Sequence, residues 1–216
     1  MTASRCMRLA TIGLSPWRSV VALPFVAVVS ISANASLAHG ERQALLTLFK
    51  QTQGEQWSRR AGWGGVAGTE CGWEGIECDQ GGRHVVAIEL TNNQLRGRLP
   101  RLNGLRALRS LRVSLNYLEG PLPSFKGNVA LRELKAGNNL LSGSITQFAD
   151  NPRLECVMLA NNQLSGSLPR LRRLQQLRVF DVSNNQLRGL IPTTAERAKL
   201  TKVERFDLSF NAFDGT

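Results

Sequence analysis

Leu154-Glu155-Cys156-Val157-Met158-Leu159-Ala160-Asn161-Asn162-Gln163-Leu164-Ser165-Gly166-Ser167-Leu168-Pro169 is the stretch whose reading decides the fold. Val157 and Leu159 flank Met158, a period of two that predicts a short strand. Leu154, Val157, Leu159 and Leu164 then face inward. Asn162 follows, where the chain must turn and its backbone groups lose their sheet partners. A buried amide side chain carries both donors and acceptors for such orphans. Gly166 supplies a backbone conformation that a Cβ opposes. Leu168-Pro169 opens a return limb, with Leu171, Leu174 and Leu177 on its inner side.

The stretch recurs along the chain. Its asparagine returns as Asn93, Asn116, Asn139, Asn162, Asn185 and Asn211, at intervals of 23, 23, 23, 23 and 26. A glycine keeps step four residues later, from Gly97 to Gly215. One such unit cannot bury its apolar face, so the units must stack. Every unit enters in the same direction, so neighbouring strands must pair in parallel. The period and pattern are those of leucine-rich repeats. They predict an α/β solenoid, a leucine-rich-repeat horseshoe with a parallel concave sheet and an irregular or 3-10 convex side. The asparagines form a structural ladder. The longer last interval, over Thr193–Arg205, predicts a helical turn on the convex side.

Asn93–Pro100 reads N-x-L-x-G-x-L-P, and the pattern returns at Asn162–Pro169 and Asn185–Pro192. Upstream, Ala44–Lys50 has an amphipathic helical pattern. Trp57, Trp63 and Cys71-Gly72-Trp73-Glu74-Gly75-Ile76-Glu77-Cys78 follow it. Together these resemble the plant-type extracellular leucine-rich-repeat family, with N-x-L-x-G-x-[IL]-P repeats behind a C-x-W-x-G-x-x-C amino-terminal cap. The resemblance covers roughly residues 41–216. It implies a helical cap over residues 39–83, sealed by a Cys71–Cys78 disulfide around Trp73, and about six repeats over 84–216. It also implies a recognition module. One narrower version is an inhibitor of secreted cell-wall hydrolases; another is the ectodomain of a longer receptor-like surface protein. The last unit carries no polar cap, so the carboxyl end reads as a fragment or as covered by a partner.

Residues 1–38 read as a signal peptide. Arg5, Arg8 and Arg18 precede an apolar run from Val20 to Ile31, and Ser36-Leu37-Ala38 ends the segment with small residues at the cleavage positions. Ala33-Asn34-Ala35 is a second candidate site, and an uncleaved membrane anchor is the alternative. The expected location is secreted or at the cell surface. The whole chain has 216 residues and a formal charge of +11. Losing the three leader arginines leaves 24 basic against 16 acidic residues, a balance of +8. A hydrophobic fraction of 42% excludes wholesale disorder, and 6% aromatics argues against an aromatic binding platform.

No nucleophile elbow, phosphate-cradling glycine loop or paired-carboxylate motif is present, so no catalytic residue is assigned and the chain reads as a non-enzyme. His39 and His84 lie in no metal-spaced cluster, so neither metal nor cofactor is expected. Cys156 is expected to be an unpaired, small and partly buried residue. The concave face is the expected binding surface. Its middle row is Glu89, Arg112, Lys135, Met158, Asp181 and Asp207. The outward row two residues earlier is Ala87, Ser110, Glu133, Cys156, Val179 and Arg205. The mixed charge favours a protein or peptide ligand, bound non-covalently. Reversing Arg112 and Lys135 to Glu is expected to weaken binding while leaving the melting temperature in place. Clustered arginines keep an acidic glycan open as a partner. The lack of interleaved aromatics argues against nucleic acid. Membrane contact would follow only from an uncleaved leader or a longer parent chain.

Overall fold

The computed structural model describes residues 37–145, 148, 150–193 and 198–214. Most of the expected signal peptide therefore lies outside the described residues. Helix α1 spans His39–Gln51. The strands, in chain order, are β1 (Ile76–Cys78), β2 (Val85–Glu89), β3 (Arg96–Arg98), β4 (Ser110–Arg112), β5 (Tyr117–Pro121), β6 (Glu133–Lys135), β7 (Leu140–Ser144), β8 (Cys156–Met158), β9 (Gln163–Gly166), β10 (Val179–Asp181), β11 (Gln186–Leu190), β12 (Arg205–Asp207) and β13 (Ala212–Asp214).

They form a parallel-sheet solenoid with one amino-terminal helix. The main sheet runs β1-β2-β4-β6-β8-β10-β12, and only the β1–β2 pair is antiparallel. Val157, Leu159, Leu154 and Leu164 are fully buried, as the period of two requires. Equivalent residues of neighbouring units stack on them and continue the core. On the return side Phe125 lies against Phe148 at 6.3 Å.

A second sheet, β3-β5-β7-β9-β11-β13, follows the ladder asparagines. The sequence reading expected an irregular or 3-10 convex side and named no second sheet. The glycines of these strands, Gly97, Gly120, Gly143, Gly166 and Gly189, have φ of 71–91°, a region that disfavours any other residue. Glycine and left-handed backbone both argue against a strand when one unit is read alone. Pairing with the units on either side is what holds them extended. One 3-10 turn, Leu171–Arg173, does lie on the return limb. Of the helical turn expected over 193–205, residues 194–197 lie outside the described residues, and 198–204 form turns rather than helix.

Each ladder asparagine joins two units. Asn116 Oδ1 accepts from the Asn93 and Leu95 backbone N–H groups at 2.9 and 3.0 Å. Its Nδ2 donates to the Leu90, Val113 and Ser114 carbonyls. Asn139, Asn162, Asn185 and Asn211 repeat the arrangement one unit on each time. At the start of the ladder Asn93 bonds Arg59 of the cap instead.

The residue just before each ladder asparagine is left-handed. Asn92, Leu115, Asn138, Asn161, Asn184 and Phe210 have φ of 51–57°. Asparagine tolerates this region; most L-residues lose about 1–2 kcal/mol there. Asn161 and Asn184 also each donate an amide hydrogen bond to the asparagine one unit back. Leu115 interrupts that row while 53% exposed, so little burial offsets its strain. Leu115→Asn is therefore expected to raise stability by about 1 kcal/mol in denaturant titration. A loss of stability would refute the strain argument.

The cap closes the first unit with an aromatic column. Phe49, Trp57, Trp63 and Trp73 pack at centroid separations of 4.9–5.7 Å. Each indole N–H donates, to Thr52 O, Glu74 O and Thr69 Oγ1 respectively. Cys71 and Cys78 form a disulfide beside Trp73. Buried Glu41 ties α1 to β2 by accepting from the Val85 N–H and meeting His84 Nδ1, both at 2.8 Å.

Candidate functional site

Strand alternation sends every second side chain of the main sheet away from the core. The middle row pairs in register: Glu89 with Arg112, Arg112 with Lys135, Lys135 with Met158, Met158 with Asp181, and Asp181 with Asp207. The six residues expected to contact a partner thus lie side by side across six strands. They do not form one uniform strip.

The first three belong to a charge cluster centred on Glu133, from the neighbouring row. Glu133 Oε2 accepts from Ser110 Oγ at 2.8 Å and from Arg112 Nε and Nη2 at 2.9 and 2.7 Å. Its Oε1 lies 2.8 Å from Lys135 Nζ. Arg112 also reaches Glu89 at 3.3 Å. Burial pushes the Glu133 carboxyl upward, but the hydrogen bonds from Lys135, Arg112 and Ser110 outweigh it and hold it below the usual glutamate range. Burial likewise opposes the charge on Arg112, and bonding to Glu133 overcomes it. The sequence reading noted Glu133 as an outward residue but not as this centre. Its place diagonal to Arg112 and beside Lys135 on its own strand was the available signal.

Asp181 and Asp207 belong to a second cluster. Buried Asp181 accepts from the Ser183 N–H and Oγ at 3.1 and 2.7 Å and pairs with Arg205 at 2.9 Å. Arg205 also reaches Asp207 at 3.2 Å. Hydrogen bonds from the Ser209 hydroxyl and N–H hold the Asp207 carboxyl below its ordinary value. Between the clusters lie Met158, half-buried, and the buried Cys156 and Val179. A third outward row adds the pairs Arg132–Glu155 at 3.0 Å and Arg178–Glu204 at 2.8 Å.

Cys156 is not the unpaired residue expected from the sequence. In the uncleaved chain it is disulfide-bonded, and its partner lies outside the described residues. Counting cysteines after removing the leader hid this bond. Among the described residues no group of three or more His, Cys, Asp or Glu is placed to hold a metal ion, and no helix is long and apolar enough to cross a membrane.

A family model described as Leucine Rich Repeat matches residues 176–197. No curated protein matches the chain. Among solved structures, a chain of the BIR3–SERK2 complex from Arabidopsis thaliana is 30% identical, with a TM-score of 0.64, over 81% of this chain and 93% of that one. The protein belongs to the leucine-rich-repeat family. The BIR2 ectodomain from Arabidopsis thaliana is similar to this leucine-rich-repeat protein at 26% identity and a TM-score of 0.69, over 81% and 94% of the two chains. The Arabidopsis receptor kinase HAESA, in complex with the peptide hormone IDA and the co-receptor SERK1, is 28% identical with a TM-score of 0.66. That match covers 78% of this protein but only 30% of the HAESA chain. The protein thus spans nearly all of the short ectodomains and under a third of the long peptide receptor.

Proposed function

We propose that the protein is an exported recognition module that binds a protein or peptide non-covalently through the outward face of its main sheet. The observation that carries this reading is the face itself. Two ion-paired clusters flank an apolar step at the half-buried Met158, in register across six strands. A peptide laid across the strands would place an apolar side chain on Met158 and polar groups on either side. Apolar contact would supply affinity, and the clusters would fix register. The likeness to ectodomains solved with a peptide hormone and a co-receptor supports the same class of partner.

The test is selection of peptides from a displayed library on the wild-type protein, followed by titration against Met158→Glu. Met158 is half-buried at the surface, so the variant should keep its melting temperature. Affinity is expected to fall at least about tenfold, since a carboxylate would be desolvated against an apolar ligand group. Equal affinity would move the site away from this step.

Export is part of the proposal, and the structure bears on where a leader would be cut. Leu37 is 7% exposed and belongs to the hydrophobic core. The Ala38 carbonyl accepts from the Glu41 N–H at 2.8 Å and opens α1. Cleavage after Ala38 would delete both and set a charged amine at the positive end of the helix. Cleavage after Ala35 keeps them; either cut separates Cys156 from its disulfide partner, so that bond belongs to the uncleaved chain. Mass spectrometry of the exported protein is expected to find a chain beginning at Ser36; a start at His39 would refute this placement.

A further inference from the structure

The protein is strongly basic, yet its main-sheet face is neutral. Across the three outward rows, Arg109, Arg112, Arg132, Lys135, Arg178 and Arg205 are matched by Glu89, Glu133, Glu155, Asp181, Glu204 and Asp207. Of the six cations, all but Arg109 are ion-paired. Over residues 90–216 the rest of the chain carries thirteen Lys and Arg against four Asp and Glu, a surplus of nine. The surplus therefore sits on the return segments, which include the second sheet.

The densest part is the first return segment. Arg96, Arg98, Arg101 and Arg106 are all exposed, and none forms an ion pair among the described residues. Arg96 stacks on the exposed Tyr117 ring at 4.3 Å. The Arg98 side chain lies across Gly120 of the adjoining strand, where a Cβ would come within 3.1–3.3 Å of it. Arg96 and Arg98 are thus presented outward by a paired strand, and Arg101 and Arg106 by the turns that follow it, rather than consumed by internal partners. Four unpaired like charges on one segment repel each other, and an external polyanion removes that repulsion.

We infer that the return side of the solenoid, anchored on Arg96, Arg98, Arg101 and Arg106, binds an acidic polysaccharide, independently of any ligand on the main sheet. The chemistry recognised is a linear chain bearing carboxylate or sulfate groups. Duplex nucleic acid is read by an element that fills a groove, whereas this side offers strands of three to five residues and turns. Single strands need rows of stacking aromatics, and here the one ring beside the cluster already carries Arg96. A flexible saccharide chain can follow spaced charges without either feature.

The probes are alginate for carboxylate, heparin for sulfate ester, dextran as a neutral control and a random-sequence DNA duplex. Binding of alginate or heparin, but not dextran, is expected at 50 mM NaCl, with at least about tenfold loss by 200 mM as released counterions weaken the complex. Which of the two anionic polymers binds more tightly assigns the anion. The triple variant Arg98→Gln, Arg101→Gln, Arg106→Gln should lose about tenfold in affinity, while Met158→Glu should not change it. Arg101→Gln alone is expected to lose two- to threefold, which guards against a folding defect in the triple variant. Undiminished binding by the triple variant, equal binding of dextran, no binding at 50 mM, or tighter binding of the DNA would each overturn the inference. Loss of peptide binding in Met158→Glu with polysaccharide binding intact separates this site from the main-sheet site.

Discussion

Asn116→Leu is expected to lower the stability of the solenoid by about 3–5 kcal/mol. The two side chains are similar in size, so the loss is one of hydrogen bonding. Five bonds disappear: two accepted from the Asn93 and Leu95 N–H groups and three donated to carbonyls of two units. The orphaned groups stay buried, where each costs about 1–3 kcal/mol that water cannot repay. A useful contrast is Asn151 on the return side. It too is fully buried and donates to the Phe125 and Asn128 carbonyls at 3.0 and 3.1 Å. Its Oδ1, however, has no hydrogen-bond partner among the described residues. Asn151→Leu loses two donated bonds but also removes an unsatisfied acceptor, and Leu105 and Leu174 stand at the equivalent positions. Its expected cost is about 1 kcal/mol. Urea denaturation of both variants checks the pair, and equal losses would show that the ladder is no more than buried volume.

Arg112→Glu combined with Lys135→Glu is expected to destabilise the protein by about 2–3 kcal/mol at pH 7, after allowing for solvent screening at the partly exposed Arg112. The sequence alone suggested that this pair could be reversed without touching stability, because both residues face outward. The structure gives them a second duty, since both hold the mostly buried Glu133. Reversal surrounds that carboxylate with like charge and breaks its pairs. Acidification should separate the two proteins. In the wild type the Glu133 carboxyl is held below its ordinary value, so its contribution is present above about pH 4.3 and fades as pH falls through the folded value. In the variant the carboxyl is pushed upward, so protonation relieves repulsion. The stability gap should narrow from pH 7 to pH 4. A gap that stays constant or widens would rule out Glu133 as the cause. For the same reason Met158→Glu, which breaks no ion pair, is the cleaner probe of ligand binding.

Legibility of the fold and of the candidate surface followed from one property, repetition at fixed spacing. Val157 and Leu159 could be placed inward because five other units put an apolar residue, or Ala136, at the same phase. The main-sheet register, from Glu89 to Asp207, came from the same alignment. Features that depend on what lies one unit away were not legible. Leu115 reads as an ordinary leucine until its φ of 57° is known. Glu133 reads as one more surface carboxylate until Ser110, Arg112 and Lys135 converge on it.

The sequence by itself determined that the chain is a stacked solenoid, which residues face the core, where the asparagine ladder runs and which outward residues share a row. These follow from local periodicity, which a one-dimensional string records in full. Only the tertiary structure decided that a second sheet forms, that Leu37 is part of the core, that Cys156 is bonded, and that the main-sheet charges cancel while those of the return side do not. Each of these depends on contacts between units or between distant segments. Their energies are set by distance and burial, which spacing along the chain does not encode.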